Sequence, residues 1–576
     1  MLIKFILSYY KKFPLKMLVG FFMLVAVDIT QLIIPRITQR AIDSILGSYI
    51  ASQSNYAFLG KFTLIIFILA LAIGLFRFFW RMIIIGTAHF IERDFKDRLF
   101  EHLNSLSHSF FTKTKIGDIM AHMTNDMDAI RRACAFGVVA GFDAVFLFLA
   151  TLIFMLTLNL RLTLFALIPL PLIVLISLFF VRRLFQKFKT VQESFSRLTE
   201  KAREMISGIK IIQAFQQEEA EAKNFDQLSK KYLEKNISLI KIWGTMFPMI
   251  GLCAELGIAI ILLVGGQQVI LRELTTGELV AFFSYMGIIV WPMMAVGMVI
   301  NIYQRGSASY LRVQNLLQEK PAIYDLSSTK GHYLNGNIKL EKIYFSYDEQ
   351  VILKDINIDI KSGQYIGICG KIGSGKSVIA QLILRIIEPQ KGMIFYDSID
   401  YKKIKISTVR ENIGYVPQDS FLFSTTIEEN IRFGENNASL EEIMEACQIA
   451  CVHQDIMELK EQYQTVVGEK GVTLSGGQKQ RLCIARAMIR KPRILILDDA
   501  LSAVDTNTEK AILANLEKYF RGITIIVISH RISSFIKADN IFVLEEGRIE
   551  SSGTHRELIK KSTIYKNMYK IQKLEE

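Results

Sequence analysis

The sequence has few cysteines, and their spacing argues against a disulfide framework and a structural zinc site. Only 6 of its 576 residues are cysteine, and no two of them form a Cys-x-x-Cys pair. We therefore expect free thiols in a reducing cytoplasm.

Acidic residues are also outnumbered by basic ones, which gives a formal net charge of +13 at pH 7. The basic residues gather beside apolar segments, as at Lys11-Lys12 and Arg182-Arg183. This placement matches the positive-inside rule of membrane proteins. We therefore expect no nucleic-acid partner, although a basic chain can indicate one.

Apolar residues make up 51% of the chain and are concentrated in its first half. A chain of this length is too long for one hydrophobic core. The uneven distribution predicts a membrane domain over residues 1–318 and a soluble α/β domain over residues 336–576, joined by a short polar linker.

Six apolar stretches are long enough to cross a bilayer, which takes about 20 helical residues. The first has no convincing cleavage site, so we expect it to stay in the membrane. The third and fourth are separated only by a turn at Asn159-Leu160-Arg161. We expect the spans near residues 17–37, 60–86, 134–157, 162–181, 246–270 and 278–302.

The distribution of basic residues around these spans predicts their orientation. Residues 47–59, between the first two spans, contain no Lys or Arg. Because loops rich in Lys and Arg stay in the cytoplasm, the N-terminus and the soluble domain are predicted to be cytoplasmic. The basic residues that follow the second, fourth and sixth spans are Arg93, Lys96, Arg98, Arg182, Arg183, Lys187, Lys189 and Arg305.

Proline is absent from the two long stretches on the cytoplasmic side, residues 87–132 and 182–245. Their apolar spacing favours helix over disordered loop. We expect each to form a long arm below the membrane. The tips are predicted at Ile116–Arg132 and Arg203–Phe215, with the chain turning at Gly117 and Gly208.

Five ionisable residues fall within or beside the predicted spans: Asp28, Arg77, Arg81, Asp143 and Glu255. Charges at membrane depth are costly and usually face a cavity or each other. An Asp28–Arg77 pair is one possibility. Structural pairing and contact with a transported substrate both remain open.

The last span is rich in soft and aromatic side chains. Such residues adapt to varied apolar ligands, but they can equally face lipid. The residues concerned are Phe282, Phe283, Tyr285, Met286, Trp291, Met293, Met294 and Met298.

In the second half, a glycine-rich loop lies between a predicted strand, Tyr365–Cys369, and a predicted helix from Val378. This strand, loop and helix order is that of a P-loop. Its backbone N–H groups surround phosphates, Lys376 reaches the β- and γ-phosphates, and Ser377 coordinates Mg²⁺. The loop residues predicted to bind ATP are Gly370, Lys371, Ile372, Gly373, Ser374, Gly375, Lys376 and Ser377.

A second apolar strand, residues 494–497, ends in Asp498-Asp499. A strand that delivers a carboxylate beside a P-loop supplies a further Mg²⁺ contact. We assign this contact to Asp498.

The segment Leu474-Ser475-Gly476-Gly477-Gln478-Lys479-Gln480-Arg481 resembles the signature of the ABC ATPase family. The resemblance implies that two such domains pack head to tail, with ATP between one P-loop and the opposite signature. Ser475, Gly476, Gly477 and Gln478 would then serve the partner's nucleotide. One copy of each motif in this chain implies an obligatory partner chain.

From the signature, the resemblance extends over the whole chain. Tyr347 looks like the aromatic residue that stacks on adenine, and Gln418 matches the Q-loop, with a role in catalysis and at Mg²⁺. His530 matches the switch histidine and residues 502–505 the D-loop. Glu469 looks like the X-loop found in exporters.

Position 499 departs from the family pattern, which usually has glutamate there as the general base. Aspartate is one methylene shorter, so its carboxylate falls short of the roughly 3 Å reach that a base requires. The signature is intact. The chain therefore resembles the degenerate-site subunit of bacterial heterodimeric multidrug exporters.

The order of a membrane domain before a fused ATPase domain resembles exporters. The leading hypothesis is ATP-driven export of hydrophobic or amphipathic compounds across the bacterial cytoplasmic membrane, as one subunit of a heterodimer. A homodimeric lipid or peptide exporter and an ATP-gated channel remain alternatives. The six spans argue against a soluble ABC ATPase of translation or DNA repair.

The orientation can be tested with Ser52→Cys and Thr190→Cys in a variant without the six native cysteines. An impermeant thiol reagent should label position 52 but not position 190 on intact cells, because the first lies outside and the second inside. Equal labelling of both positions would contradict the six-span orientation.

Overall fold

The computed structural model describes residues 1–50, 56–325, 329, 331–347, 350–468, 474–519 and 522–575. Ser52 and the X-loop residue Glu469 lie outside the described residues. The chain divides into two compact units, Met1–Asn104 with Lys115–Glu319, and Ser105–Thr114 with Lys320–Glu576. Residues 105–114, which the sequence alone groups with the membrane domain, therefore belong to the second unit.

Long apolar helices make up most of the chain before residue 320. Short π-helical turns at His122–Asp126, Ala133–Gly137 and Ile261–Gly265 connect some of them end to end. The helices are α1 (Leu2–Tyr10), α2 (Pro14–Ile50), α3 (Tyr56–Ser105), α4 (His108–Lys113), α5 (Ile116–Ala121), α6 (Met127–Arg132), α7 (Val138–Leu158), α8 (Leu160–Leu167), α9 (Leu170–Ser207), α10 (Ile209–Ala214), α11 (Glu218–Ile260), α12 (Gly266–Ile270) and α13 (Thr276–Gln318).

Within the part of the chain that the structure describes, six helical segments are long and apolar enough to cross a membrane, which confirms the predicted number. The segments extend beyond their apolar cores, because neighbouring polar residues continue the same helical path before or after the core. The segments are Pro14–Leu46, Leu59–Ser105, Ile116–Leu158, Leu160–Ser207, Glu218–Ile270 and Thr276–Gln318.

The turn between the third and fourth segments is confirmed at Asn159. This residue has extended backbone and caps α8, since its side-chain oxygen accepts a hydrogen bond from the Leu162 N–H at 2.9 Å. Such a cap satisfies one of the N–H groups that a helix start leaves free.

The structure confirms the turn predicted at one arm tip and contradicts the turn predicted at the other. At the second tip the break at Gly208 is confirmed, because α9 ends at Ser207 and α10 begins at Ile209. At the first tip the predicted turn at Gly117 is wrong, since Gly117 lies inside α5. The chain instead turns at the extended residues Ser107 and Lys115, on either side of α4. A helix tolerates glycine at a cost of about 1 kcal/mol, so glycine alone does not locate a turn.

The soft and aromatic residues of the last span do not share one environment. Phe282, Tyr285 and Met286 are fully buried among neighbouring helices of the first unit. The Tyr285 hydroxyl donates a hydrogen bond to the Leu32 carbonyl at 2.9 Å. Trp291, in contrast, is 42% exposed. The buried three therefore form helix-packing contacts, a role distinct from both alternatives considered above.

The described residues of the second unit form two sheets. A four-stranded antiparallel sheet has the order β2-β1-β4-β5, and a six-stranded sheet has the order β10-β9-β3-β8-β7-β6, parallel except for the edge strand β10. The strands are β1 (Ile338–Tyr347), β2 (Gln350–Ile360), β3 (Tyr365–Gly370), β4 (Lys391–Tyr396), β5 (Ile399–Asp400), β6 (Ile413–Val416), β7 (Ile494–Asp498), β8 (Thr524–Ile528), β9 (Asn540–Glu545) and β10 (Arg548–Gly553).

Helices cover the parallel sheet, which is why β7 and β8 are buried at every residue. This confirms the predicted α/β fold. The helices are α14 (Lys376–Ile383), α15 (Ile406–Glu411), α16 (Ile427–Arg432), α17 (Leu440–Ile449), α18 (His453–Met457), α19 (Gly476–Met488), α20 (Thr506–Tyr519), α21 (His555–Lys561) and α22 (Thr563–Glu575), with 3-10 turns at Tyr401–Lys403, Gln462–Gln464 and Ile532–Phe535.

A buried arginine anchors the end of the helix that follows the P-loop. Arg385 is 2% exposed. Its guanidinium donates to the carbonyl oxygens of Tyr324, Tyr401 and Ile404 at 3.2–3.4 Å and to the Glu388 carboxylate at 3.1 Å. Each acceptor would lose this partner if the arginine were replaced, and unpaired buried groups are costly.

We therefore expect Arg385→Met to destabilise the second unit by about 2–4 kcal/mol. The corresponding calorimetric transition of the full chain should move down by roughly 5–10 °C. Arg548→Met, at an exposed position of β10, is the matched control and should change it little. Equal transitions for the two variants would contradict the anchoring role.

Candidate functional site

The P-loop connects β3 to α14 through backbone that only glycine adopts easily. Gly370 and Gly375 have φ of 152° and 98°. A Cβ atom on Gly370 would lie 2.2 Å from the Leu544 carbonyl oxygen. The loop also holds the Ser374 hydroxyl, which is buried without a hydrogen-bond partner among the described residues. A glycine-lined loop with an unsatisfied hydroxyl fits the oxygen-rich phosphates of a nucleotide.

The Lys376 ammonium lies within this loop. Its Nζ donates to the carbonyl oxygens of Gly370 and Lys371, both at 2.9 Å. Burial lowers the pKa of Lys376, while the nearby carboxylates of Asp499 and Asp498 act in the opposite direction. A partly desolvated cation with only neutral hydrogen-bond acceptors is well placed to bind an anionic phosphate.

Ser377 and Asp498 meet where α14 begins and β7 ends. The Ser377 hydroxyl donates to Asp498 Oδ1 at 2.9 Å, and the Tyr415 hydroxyl lies 3.4 Å from Asp498 Oδ2. Burial raises the pKa of Asp498, and these two hydrogen bonds counteract the shift. A hydroxyl and a carboxylate side by side are the oxygen ligands that Mg²⁺ prefers, so the donor set fits this ion.

The carboxyl ends of the parallel strands border a cavity of about 300 Å³ that contains most of the predicted site residues. Gly370, Lys371 and Ser374 belong to the loop but do not line it, and Lys371 instead pairs with Glu545 at 3.3 Å. The lining consists of Tyr347, Ile352, Ile372, Gly373, Gly375, Lys376, Ser377, Val378, Gln418, Asp498, Asp499, Ile528, Ser529 and His530.

Asp499 lies at the edge of this cavity in the left-handed region of backbone conformation, with φ of 49°. Its N–H donates to the Ile528 carbonyl at 2.8 Å. Its carboxylate Oδ1 is 3.0 Å from His530 Nδ1. Burial raises the pKa of Asp499, opposed by His530, Lys376 and Arg531. The Asp499 carboxylate is therefore within hydrogen-bond distance of the His530 ring.

Tyr347, the predicted adenine-stacking residue, borders the cavity on the side of the antiparallel sheet. Its hydroxyl donates to Gln381 Oε1 at 3.1 Å, and its ring meets that of Phe345 edge to face at 4.9 Å. These contacts orient the ring while leaving it 43% exposed. An exposed, oriented aromatic face is suited to stacking on a base.

The signature residues lie elsewhere in the unit, at the N-terminus of α19. Ser475 caps this helix through a capping box, in which its hydroxyl accepts from the Gln478 N–H at 3.2 Å. The Gln478 side chain also donates to Asp455 at 3.1 Å. Ser475, Gly476, Gly477 and Gln478 do not line the cavity around Lys376. The structure therefore separates two groups of residues that the resemblance assigns to different ATP molecules.

Three residues that sequence reasoning missed support the site. Tyr415 hydrogen-bonds Asp498, as described. The Gln480 amide lies 3.0 Å from the Ser502 hydroxyl and accepts from the Ala503 N–H at 2.9 Å. Arg531 donates to the carbonyl oxygen of Ser502 at 2.7 Å. Gln480 belongs to the signature segment and Arg531 follows His530, but only the fold shows that both side chains hold the D-loop.

Comparison with known proteins gives matches in both units. Residues 17–293 match the family model "ABC transporter transmembrane region", and residues 353–502 match the model "ABC transporter".

Two similar proteins are described as multidrug resistance proteins. The chain is 34% identical over 569 residues to "Probable multidrug resistance ABC transporter ATP-binding/permease protein YheI" of Bacillus subtilis, covering 98% of this chain and 97% of the relative. It is 33% identical over 558 residues to "Multidrug resistance-like ATP-binding protein MdlA" of Escherichia coli, covering 96% and 93%.

Among solved structures, the chain is similar to one described as a bacterial Atm1-family ABC exporter with ATP bound. The TM-score is 0.80 at 24% identity, covering 97% of this chain and 98% of that chain. At 24% identity, this structural similarity establishes the fold alone.

We expect Lys376→Ala to abolish nucleotide binding at this cavity, because it removes the cation that faces the phosphates. Photolabelling of the P-loop peptide by an azido-ATP analogue measures this. Lys371→Ala should reduce labelling far less, because the Lys371 side chain points to Glu545. Undiminished labelling of Lys376→Ala would contradict the assignment.

Proposed function

Because this chain belongs to the ABC transporter family, with a membrane region and an ATPase domain fused in one polypeptide, we propose that it is one subunit of a heterodimeric multidrug exporter. In this proposal its own ATP site is degenerate and its signature serves the competent site of a different partner chain. The observation that carries the proposal is the combination of a short carboxylate at position 499 with an intact signature remote from it.

The arrangement around Asp499 supports a weak catalytic site. A general base must lie within about 3.2 Å of the proton it removes. The Asp499 carboxylate is already 3.0 Å from the His530 ring, and its side chain is one methylene shorter than glutamate. The backbone N–H of Asp499 is fixed to Ile528, so the main chain cannot readily advance to compensate. Losing a general base typically costs about 10²–10⁴ in rate.

The remaining residues of the cavity retain the groups that bind ATP. Lys376 and the P-loop N–H groups hold the phosphates, Tyr347 stacks on the base, and Ser377 and Asp498, with Gln418, hold Mg²⁺. When bound, Mg²⁺ neutralises charge on the phosphate oxygens. The site therefore keeps nucleotide binding while it is poor at hydrolysis.

The signature supports the other half of the proposal. The capping box of Ser475 and Gln478 pre-organises the N-terminus of α19, a helix of 13 residues, and this end of a helix favours anions. A Cβ atom on Gly477 would lie 2.9 Å from the Ala503 carbonyl oxygen, so this glycine permits close packing of the D-loop. These residues are arranged to bind the γ-phosphate of ATP on a partner chain.

The descriptions of two relatives support a proposal for the substrate class. Two of them carry multidrug resistance in their descriptions, and the six segments are suited to a bilayer. We propose hydrophobic or amphipathic compounds as substrates, with export across the bacterial cytoplasmic membrane and the ATPase domain on the cytoplasmic side. ATP-dependent uphill accumulation in inside-out vesicles would distinguish a pump from an ATP-gated channel.

Two substitutions distinguish the heterodimer from a homodimer. In the assembled transporter, Asp499→Ala should leave ATP turnover near normal, because the carboxylate already contributes little. Ser475→Arg should lower turnover at least about tenfold, a barrier change of roughly 1.4 kcal/mol, because it blocks the partner's phosphate site. Turnover is measured by phosphate release from the purified complex.

Asp499→Glu is the complementary variant, since it supplies the longer side chain and should raise turnover.

The chain purified alone should hydrolyse ATP poorly and gain activity when a partner half-transporter is added. Loss of nearly all turnover in Asp499→Ala would instead show a homodimer that depends on Asp499.

A further inference from the structure

The loop after β8 carries His530 to the cavity around Lys376. β8 is buried at every residue and ends at Ile528, so the start of this loop is fixed. The His530 side chain, in contrast, is 51% exposed, and its Nδ1 atom lies 3.0 Å from the Asp499 carboxylate. An exposed side chain on a loop loses conformational entropy when it is ordered by a ligand. Contacts that hold the loop backbone therefore affect how well His530 can bind one.

Gln572, in the last helix α22, holds this loop through both polar atoms of its side-chain amide. Its Oε1 atom accepts a hydrogen bond from the Ile532 N–H at 2.8 Å. Its Nε2 atom donates a hydrogen bond to the His530 carbonyl oxygen. The two partners require this orientation of the amide, because a backbone N–H needs an acceptor and a carbonyl oxygen needs a donor. One side chain thus fixes the backbone on both sides of Arg531.

Arg531, between the two held positions, connects the same loop to the D-loop. Its guanidinium donates to the carbonyl oxygens of Ser502 at 2.7 Å and Val504 at 3.0 Å. It also lies 3.5 Å from the carboxylate of Glu509, which is 1% exposed. Two separate elements therefore hold the loop, the D-loop through Arg531 and α22 through Gln572.

The helix that carries Gln572 is itself anchored to the core of the second unit. Tyr565 is fully buried, and its hydroxyl lies 2.7 Å from His555 Nδ1. Met568 and Tyr569 are partly buried and pack against the same core. Tyr565, Met568, Tyr569 and Gln572 are spaced three or four residues apart, so they share one face of the helix. Gln572 thus lies on the core-facing side of α22, where its fixed base lets it hold the loop.

We propose that Gln572 is a positioning residue for His530, which it holds ready to donate a hydrogen bond to the γ-phosphate of ATP. His530 lies beside Asp499, the residue after the proposed Mg²⁺ ligand Asp498. Because Mg²⁺ bridges the β- and γ-phosphates, this is the γ-phosphate end of the cavity. The inference rests on the proposed nucleotide binding at this cavity, and it applies equally to a heterodimer and a homodimer. ADP lacks the γ-phosphate and should gain nothing from Gln572.

Azido-ATP and azido-ADP provide a matched pair of probes that differ only in this phosphate. Labelling of the P-loop peptide is titrated with each probe and Mg²⁺, using the full-length chain in lipid nanodiscs in the cold, where turnover is negligible. Gln572→Met keeps a side chain of similar length but removes both hydrogen bonds. It should weaken azido-ATP binding by about fivefold or more, because the hydrogen bond from His530 to a charged phosphate is no longer aligned. Azido-ADP binding should stay unchanged.

Asn567→Met is the matched control, because it removes an amide from an exposed position of the same helix. It should leave the binding of both probes unchanged. Gln572→Glu is a second variant, which keeps an acceptor for the Ile532 N–H but loses the donor to the His530 carbonyl oxygen. It should weaken azido-ATP selectively as well, so the test stays decisive even where Gln572→Met fails to fold.

A double-mutant cycle with His530→Ala separates positioning from a merely structural role. His530→Ala should weaken azido-ATP selectively, and Gln572→Met should add little to that loss, because Gln572 acts through His530. Equal weakening of both probes in Gln572→Met, or full additivity of the two substitutions, would overturn the proposal. ATP-driven transport is measured independently in proteoliposomes. The selective loss in a chain that transports nothing would support the role of Gln572 and contradict export, whereas unchanged azido-ATP binding in an active transporter would contradict only the role of Gln572.

Discussion

Withdrawing charge from water requires compensating partners, and this constraint organises both units. In the second unit, Arg385 is surrounded by carbonyl oxygens and a carboxylate, and Asp498 receives hydrogen bonds from Ser377 and Tyr415. Lys376 is held by the carbonyls of its own loop. In the P-loop, the Ser374 hydroxyl is buried without a hydrogen-bond partner among the described residues, and this loop is where we propose that phosphate binds.

The same reasoning applies in the first unit. Asp126 has the partners that a buried carboxylate needs, since His122 Nδ1 lies 2.7 Å and the Ser309 hydroxyl 2.8 Å from its oxygens. Asp28 has fewer partners: its Oδ2 atom is buried without one among the described residues, while its carboxyl group interacts with that of Asp143 and with Arg77.

The proposed asymmetry of the ATP site depends on a small geometric difference. Asp498 and Asp499 are adjacent, yet one lies at the end of β7 beside Ser377, while the other turns into left-handed backbone beside His530. Shortening the second side chain by one methylene leaves the nucleotide-binding groups in place. In the proposed heterodimer, this difference separates ATP binding from ATP hydrolysis at this chain's own site.

Several features of this protein could be predicted from local sequence pattern alone. Six spans, the order of the two domains, the P-loop, the strand before Asp498 and the helix break at Gly208 all follow from residue spacing over short stretches. The true turn of the first arm, at Ser107 and Lys115 rather than Gly117, did not, because glycine is compatible with a helix interior. Only the tertiary structure brought Asp28 beside Asp143, Trp291 onto Asp143, and Gln480 and Arg531 onto the D-loop. These contacts join residues that are distant in sequence, and no local pattern specifies which face of one helix meets another.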